Sequence, residues 1–302
     1  MNLKKGDKIA IVSPAGAVRR QQIETALAEI ESQGYEPVLG RYALGEYQLG
    51  YGYSGTEEER IADLNWALNS EDISAVWATR GGYGCQHLLK HLSFEGFTQK
   101  PKWYIGYSDN TVIQSLILKH GYPSIHGQTL KTSSFGVIEE GYSQIFDILK
   151  GNFPEYSIEN HSFNHPKDFK GQLVGGNLAL IYALIGTPYS FSFKDKVLFI
   201  EDIGESFYSL DRMLMSLELA GIFDEIKALI IGGMTNMGNT DDNPQYEHSF
   251  DDLAYEIIAH RIQKYDFPTV YAFPNGHIYD NRPLIIGREV EVSFGDKVKI
   301  AF

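Results

Sequence analysis

Apolar positions in the first 130 residues switch repeatedly between two spacings. Lys8–Ser13 is a short, mostly apolar run closed by Pro14 and Gly16, which predicts a buried strand and then a turn. Ile23, Ala26, Leu27 and Ile30 follow at helical spacing, and Gly34 stands where a helix C-terminal glycine belongs. Thr56 with Glu59 makes a capping-box pattern ahead of Ile61, Leu64 and Leu68. Ile73–Thr79 is a second β-rich run and leads into Arg80-Gly81-Gly82-Tyr83-Gly84. Trp103–Tyr107 is a third, followed at once by a helical stretch from Thr111 to Lys119. Strand, turn and helix in repetition predict a parallel sheet with crossover helices.

The rhythm breaks at residues 151–170, where prolines and asparagines interrupt any sustained period. This segment reads as a linker between an N-terminal α/β domain, 1–150, and a C-terminal domain, 171–302. In the latter, Lys196–Glu201 and Lys227–Ile231 predict buried strands, with a helical stripe of Leu210, Met213, Leu214 and Leu217 between them. Glu289–Phe294 and Lys297–Phe302 alternate around Gly295-Asp296, a hairpin signal. The expectation for this half is a smaller, β-rich α+β domain.

Composition narrows the functional classes. A hydrophobic share of 43% with 22% charged residues is that of a folded globular protein. The net charge of −13, with no basic stripe, argues against a nucleic-acid partner, whose phosphates demand neutralising cations. The single cysteine, Cys85, excludes an intramolecular disulfide and a cysteine-only zinc site. The N-terminal apolar run is too short for a signal peptide, and no stretch reaches membrane-span length, so the expected location is the cytoplasm, with no membrane partner.

Three strand-to-loop transitions carry candidate chemistry. Gly106-Tyr107-Ser108-Asp109-Asn110 sits where a strand gives way to a helix, a place that lifts a serine hydroxyl above the sheet edge and aims backbone N–H groups at the same point. A serine there serves equally well as a helix N-cap. Glu201 and Asp202 close the apolar run VLFIED, and His277 follows in Pro274-Asn275-Gly276-His277. An alcohol, a carboxylate and an imidazole at strand ends are the parts of a nucleophile, an orienter and a base. Other groupings fit less well. His87 and His91, and His161 and His165, have i,i+4 spacing but lack the glutamate of a zinc-peptidase helix. Gly175-Gly176-Asn177 is no complete dinucleotide fingerprint and reads as a close-packing turn. Cys85, at its own strand-to-helix turn, is a rival nucleophile or a buried, inert thiol.

Five segments, IAIVSPAG at 9–16, ATRGGYG at 78–84, IGYSDNT at 105–111, LFIEDIGE with LDRML at 198–205 and 210–214, and FPNGHIYDNRPLIIG at 273–287, together resemble the LD-carboxypeptidase family in its order and over nearly the whole chain. The resemblance implies Ser108 as nucleophile, Glu201 as orienter and His277 as base. It also implies backbone oxyanion donors at Asp109 and in the Gly81–Gly82 turn, with Gly82 the residue expected to donate. It further implies an N-terminal domain resembling class I glutamine amidotransferases, a homodimer, a triad drawn from both domains and no cofactor or metal. The substrate implied is a murein tetrapeptide cleaved before its terminal D-alanine, as in peptidoglycan recycling. A cation should then meet the D-alanine carboxylate, with Arg80 the first choice and Arg282 the second. The sequence departs from the family at Tyr107, where phenylalanine is frequent, and at Asn110, where an aliphatic residue is common. Two alternatives stand beside this reading: a peptide–nucleotide hydrolase of the microcin-immunity type, and a non-catalytic binding protein with Ser108 as a helix cap.

Overall fold

The structure, a computed structural model, describes residues 1–135, 139–238 and 250–302. It divides into two units, the first comprising Met1–Phe153 with Tyr279–Ile285, the second Pro154–Ile278 with Ile286–Phe302. The chain therefore passes from one unit to the other three times.

Unit 1 is built on a six-stranded sheet. Its strands are β1 (Lys8–Val12), β2 (Glu36–Leu39), β5 (Ile73–Ala78), β6 (Trp103–Gly106), β7 (Ser124–His126) and β13 (Leu284–Ile286), in the order β13-β7-β6-β5-β1-β2. The pairs from β2 to β7 are parallel. Ile9, Ala10, Ile11, Ala75, Val76, Trp77, Tyr104 and Ile105 are wholly inaccessible, so these strands need no polar face and read as continuous apolar runs. Each such Ile, Val or Leu contributes about 1.5–3 kcal/mol relative to exposure. Helices α1 (Glu24–Ser32), α2 (Glu57–Asn69), α3 (Glu95–Gln99), α4 (Thr111–Lys119) and α5 (Glu139–Lys150) complete the unit, and a small hairpin of β3 (Tyr47–Gln48) and β4 (Gly52–Tyr53) precedes α2. The capping box of α2 forms as the sequence predicts, with Thr56 and Glu59 exchanging side-chain-to-backbone bonds.

Unit 2 holds a seven-stranded sheet in the order β12-β11-β10-β9-β14-β15-β8. Its members are β8 (Glu155–Ile158), β9 (Phe169–Asn177), β10 (Val197–Ile203), β11 (Ala228–Thr235), β12 (Thr269–Val270), β14 (Glu289–Phe294) and β15 (Val298–Ala301). Strands β9 to β12 are parallel, and β14, β15 and β8 extend the sheet antiparallel. Helices α6 (Leu178–Leu184), α7 (Phe207–Leu219), α8 (Ile222–Glu225) and α9 (Phe250–Ile262) supply the crossovers. The protein is thus mixed α/β, a parallel-sheet N-terminal unit with a separate β-rich C-terminal region.

Two expectations change. Residues 151–170 are no linker, because β8 lies within them and pairs with β15, and Phe169 begins β9. The alternation of Tyr156 and Ile158, buried between exposed neighbours, is a four-residue edge-strand signal too short to stand out among prolines and asparagines. Unit 2 is also more α/β than α+β, since half of its sheet is parallel. No described helix is long and apolar enough to cross a membrane.

Candidate active site

In unit 1, β6 ends at Gly106, Tyr107 is still extended, and Ser108 turns abruptly with φ of 64° before the chain enters α4 through a 3-10 turn at Ser108–Asn110. A non-glycine residue in the left-handed region is strained by on the order of 1 kcal/mol and persists only where its surroundings hold it. Ser108 is not the N-cap of either helical segment; Tyr107 and Asn110 occupy those positions, and neither caps through its side chain. The capping role left open by the sequence is therefore not the one Ser108 takes.

The glycine-rich turn after β5 lies directly against it. A β-carbon on Gly81 would stand 2.8 Å from Ser108 Cβ and 2.9 Å from its hydroxyl oxygen, so only glycine permits this approach. Gly82, with φ of 117°, has the Tyr51 hydroxyl against its Cα, where a β-carbon would be only 2.0 Å away. Tyr51, Tyr53 and Tyr83 cluster around this turn, Tyr51 edge-on to both of the others, with His87 packed on Tyr53 and Tyr83. His87 thus serves packing, and His161 likewise stacks on Tyr271.

Asp109 and Asn110 are buried beneath the turn. The Asp109 carboxylate accepts from the Cys85 backbone N–H at 2.8 Å. Burial raises its pKa, against the pull of that bond and of the Arg60 charge. Cys85 is itself fully buried, and burial first, then the Asp109 charge, holds its thiol well above the usual range. A thiol so placed is no nucleophile near neutral pH. Arg60 runs beneath the same turn, donating to the carbonyls of Pro14 at 2.8 Å and Gly84 at 2.9 Å, with its guanidinium over the Tyr53 ring. Arg60 is a functional residue that the motifs do not mark, although a charge spaced four and eight residues from Leu64 and Leu68 on an apolar stripe is a signal for it.

Of the two candidate cations, Arg282 forks onto Asp280 through bonds of 3.0–3.2 Å. Arg80 donates to neutral acceptors, the carbonyls of Ala17 at 3.1 Å and Gly81 at 3.2 Å and the Tyr51 hydroxyl at 3.5 Å. Lys131, not foreseen, adds a second cation here; burial and then the Arg80 charge lower its pKa.

In unit 2, Glu201 lies near the end of β10 and is wholly inaccessible. The chain beyond β12 continues alongside β11 in the same direction, with Phe273 N–H donating to the Ile231 carbonyl and Gly233 N–H to that of Asn275. This carries His277 to Glu201, and His277 Nδ1 lies 2.8 Å from Glu201 Oε2. Gly276, with φ of 118°, makes the contact possible, since a β-carbon there would meet Glu201 Oε2 at 2.8 Å. Burial alone would lower the imidazole pKa, but the charge and hydrogen bond of Glu201, aided by Asp202, outweigh it and raise it. With a carboxylate at Nδ1 that nitrogen carries the proton, leaving Nε2 as the basic position.

Asp202 is the neighbour the sequence did not resolve. It accepts from Asn177 Nδ2, Ala179 N–H and Ile203 N–H at 2.9–3.0 Å, and burial, then the Glu201 charge, pushes its pKa up to about 7. Asn177 also caps α6, accepting from Leu180 N–H. The Gly175-Gly176-Asn177 segment is therefore the end of strand β9, not a turn, and Gly175 lets the Phe199 carbonyl approach where a β-carbon would sit.

Two sequence patterns match this chain. Residues 9–127 match the LD-carboxypeptidase N-terminal domain and residues 170–292 the LD-carboxypeptidase C-terminal domain. The chain is 31% identical to the murein tetrapeptide carboxypeptidase of Pseudomonas aeruginosa, over 93% of this chain and 91% of that one. Among solved structures, the muramoyltetrapeptide carboxypeptidase of Oxalobacter formigenes superposes with a TM-score of 0.85 at 26% identity, covering 97% and 98% of the two chains. The microcin C7 self-immunity protein in complex with aspartyl sulfamoyl adenosine also reaches 0.85, at 21% identity over 99% of this chain and 97% of that one, which is a likeness of fold.

Proposed function

The chain belongs to the LD-carboxypeptidase family, and on that premise we propose that it is a serine carboxypeptidase that releases terminal D-alanine from murein tetrapeptides through Ser108, His277 and Glu201. The observation that carries the reading is the buried Glu201 carboxylate at 2.8 Å from His277 Nδ1, which a nucleophile's base requires and a surface histidine does not. The strained turn at Ser108 supports it from the other unit.

In this mechanism, His277 Nε2 takes the proton of Ser108 as its oxygen attacks the amide carbonyl. Glu201 holds the imidazole and stabilises its charged form. The backbone N–H groups of Gly82 and Asp109 receive the oxyanion, each worth on the order of 3 kcal/mol in the transition state. As the tetrahedral intermediate collapses, the imidazolium gives its proton to the leaving D-alanine amine. Water then attacks the acyl-enzyme with His277 again as base, freeing the peptide carboxylate and restoring Ser108. Arg80, which donates to the neutral oxygens of Ala17, Gly81 and Tyr51, is the proposed cation for the D-alanine carboxylate, with Lys131 adding positive potential.

A second reading, a peptide–nucleotide hydrolase, draws on the cluster of Tyr51, Tyr53 and Tyr83 beside the glycine turn, which offers an aromatic wall to a base. Parallel assays separate the two: D-alanine release from a murein tetrapeptide and cleavage of an aminoacyl sulfamoyl adenylate. The proposed function predicts turnover of the first only; cleavage of the nucleotide alone would replace it with the second.

The Gly81 contact gives a further expected result. Gly81→Ala lowers kcat/KM for the tetrapeptide by about 100-fold or more, because the new methyl group displaces Ser108 by a good part of an ångström. Steady-state kinetics, with circular dichroism as a fold control, checks this.

A further inference from the structure

The two proposed oxyanion donors sit on separate connections, Gly82 in the turn after β5 and Asp109 in the turn after β6, about 27 positions apart in sequence. Parallel pairing of β5 with β6 fixes the strands but ends at Trp77 and Ile105, before either turn begins. What joins the turns themselves is a pair of side chains that follow Ser108.

Asn110 is wholly buried and reaches the near end of the glycine turn. Its Nδ2 donates to the Arg80 carbonyl at 3.3 Å and to the Tyr107 carbonyl at 3.0 Å, and its Oδ1 accepts from the Tyr104 hydroxyl at 2.5 Å. Asp109 reaches the far end through Cys85 N–H at 2.8 Å. Residues 80 and 85 bracket Gly81–Gly84, so the turn is held at both ends from the nucleophile's own turn. Space has been made for the first strut: a β-carbon on Gly106 would stand 2.8 Å from Asn110 Cγ.

We propose that Asn110 is a positioning residue for the hydrolytic reaction, its amide holding the Ser108 turn against the Arg80–Gly82 turn so that both oxyanion donors address one point. The inference rests on the serine-hydrolase reading above and adds to it a residue that touches neither substrate nor the reacting atoms. Tyr104 orients the amide, because its hydroxyl bond fixes which end of the Asn110 side chain faces Arg80. Asp109 acts in the same sense from the other side.

The test compares wild type with Asn110→Asp, which keeps the acceptor for Tyr104 but sets an oxygen against the two carbonyls, and with Tyr104→Phe, which deletes one hydroxyl. For Asn110→Asp the expected result is a kcat for D-alanine release about 100-fold lower with KM within about twofold, since oxyanion donors act on the transition state alone. Tyr104→Phe gives a smaller loss in the same direction, and serves if Asn110→Asp does not fold. The second readout is the rate at which diisopropyl fluorophosphate labels Ser108, which needs the same donors but no murein peptide. It should fall in parallel. Wild-type labelling rates in both variants, whatever their melting temperatures, would reduce Asn110 to a packing role and overturn the proposal. Labelling that falls in the variants while wild type releases no D-alanine would leave the positioning role standing and sink the substrate assignment instead.

Discussion

On the proposed mechanism, replacing Ser108 with alanine should lower D-alanine release from a murein tetrapeptide by about four to six orders of magnitude while the fold survives. The size follows from loss of the attacking oxygen; what remains is the rate that substrate binding and the oxyanion donors sustain without a nucleophile. Survival of the fold follows from the local geometry. Ser108 caps neither the 3-10 turn nor α4, and alanine meets the same left-handed backbone cost that serine already bears. Unfolding free energy should therefore change by no more than about 1 kcal/mol. Kinetics and denaturant melts on the same preparations check both halves. Equal release from variant and wild type would remove Ser108 from the mechanism, and the buried, high-pKa thiol of Cys85 would make a poor successor.

Glu201→Gln should produce the second large effect, a fall in kcat of about 10⁴-fold together with a displaced pH profile. The amide can donate to Nδ1 and so favour the tautomer with its proton on Nε2, which cannot accept one from Ser108. The direction of the pH shift follows from the opposing influences on His277. Burial lowers its pKa, and the charge and hydrogen bond of Glu201 raise it further than burial lowers it. In wild type kcat/KM should thus rise with pH through a value above the ordinary 6.5 of histidine, as the imidazole loses its proton. In Glu201→Gln the larger raising influence is gone, only that of Asp202 is left, and burial persists, so the acid limb of the residual activity should move to lower pH. A profile that drops in height without moving would mean that His277 is not the titrating base.

The parallel sheet of unit 1 could be read from the sequence because its strands are buried on both faces. Runs such as Ile73–Ala78 stay apolar without alternation, and the turns that end them are marked by glycine or proline. The edge strand β8 was not legible, because four residues of alternation carry little signal among turn-forming neighbours. The site divides in the same way. Ser108 and Glu201 stand at strand ends and His277 in the loop that follows one, where position alone suggests chemistry. The side chains that support them do not announce themselves: Arg60 and Asn177 matter through bonds to carbonyls and carboxylates distant in sequence. Asn110 was visible only as a departure from a resemblance, and its three hydrogen bonds give that departure a physical reason.

The return of residues 279–285 to unit 1 bears on how the protein is made. Strand β13 borders β7, yet it leaves the ribosome only after nearly all of unit 2. During synthesis the first sheet must wait with the outer edge of β7 unpaired, an opening to intermolecular pairing that lasts for more than a hundred added residues. A gene fragment stopped near residue 150 would make that temporary edge permanent, so the two units are poor candidates for separate expression even though each has its own sheet.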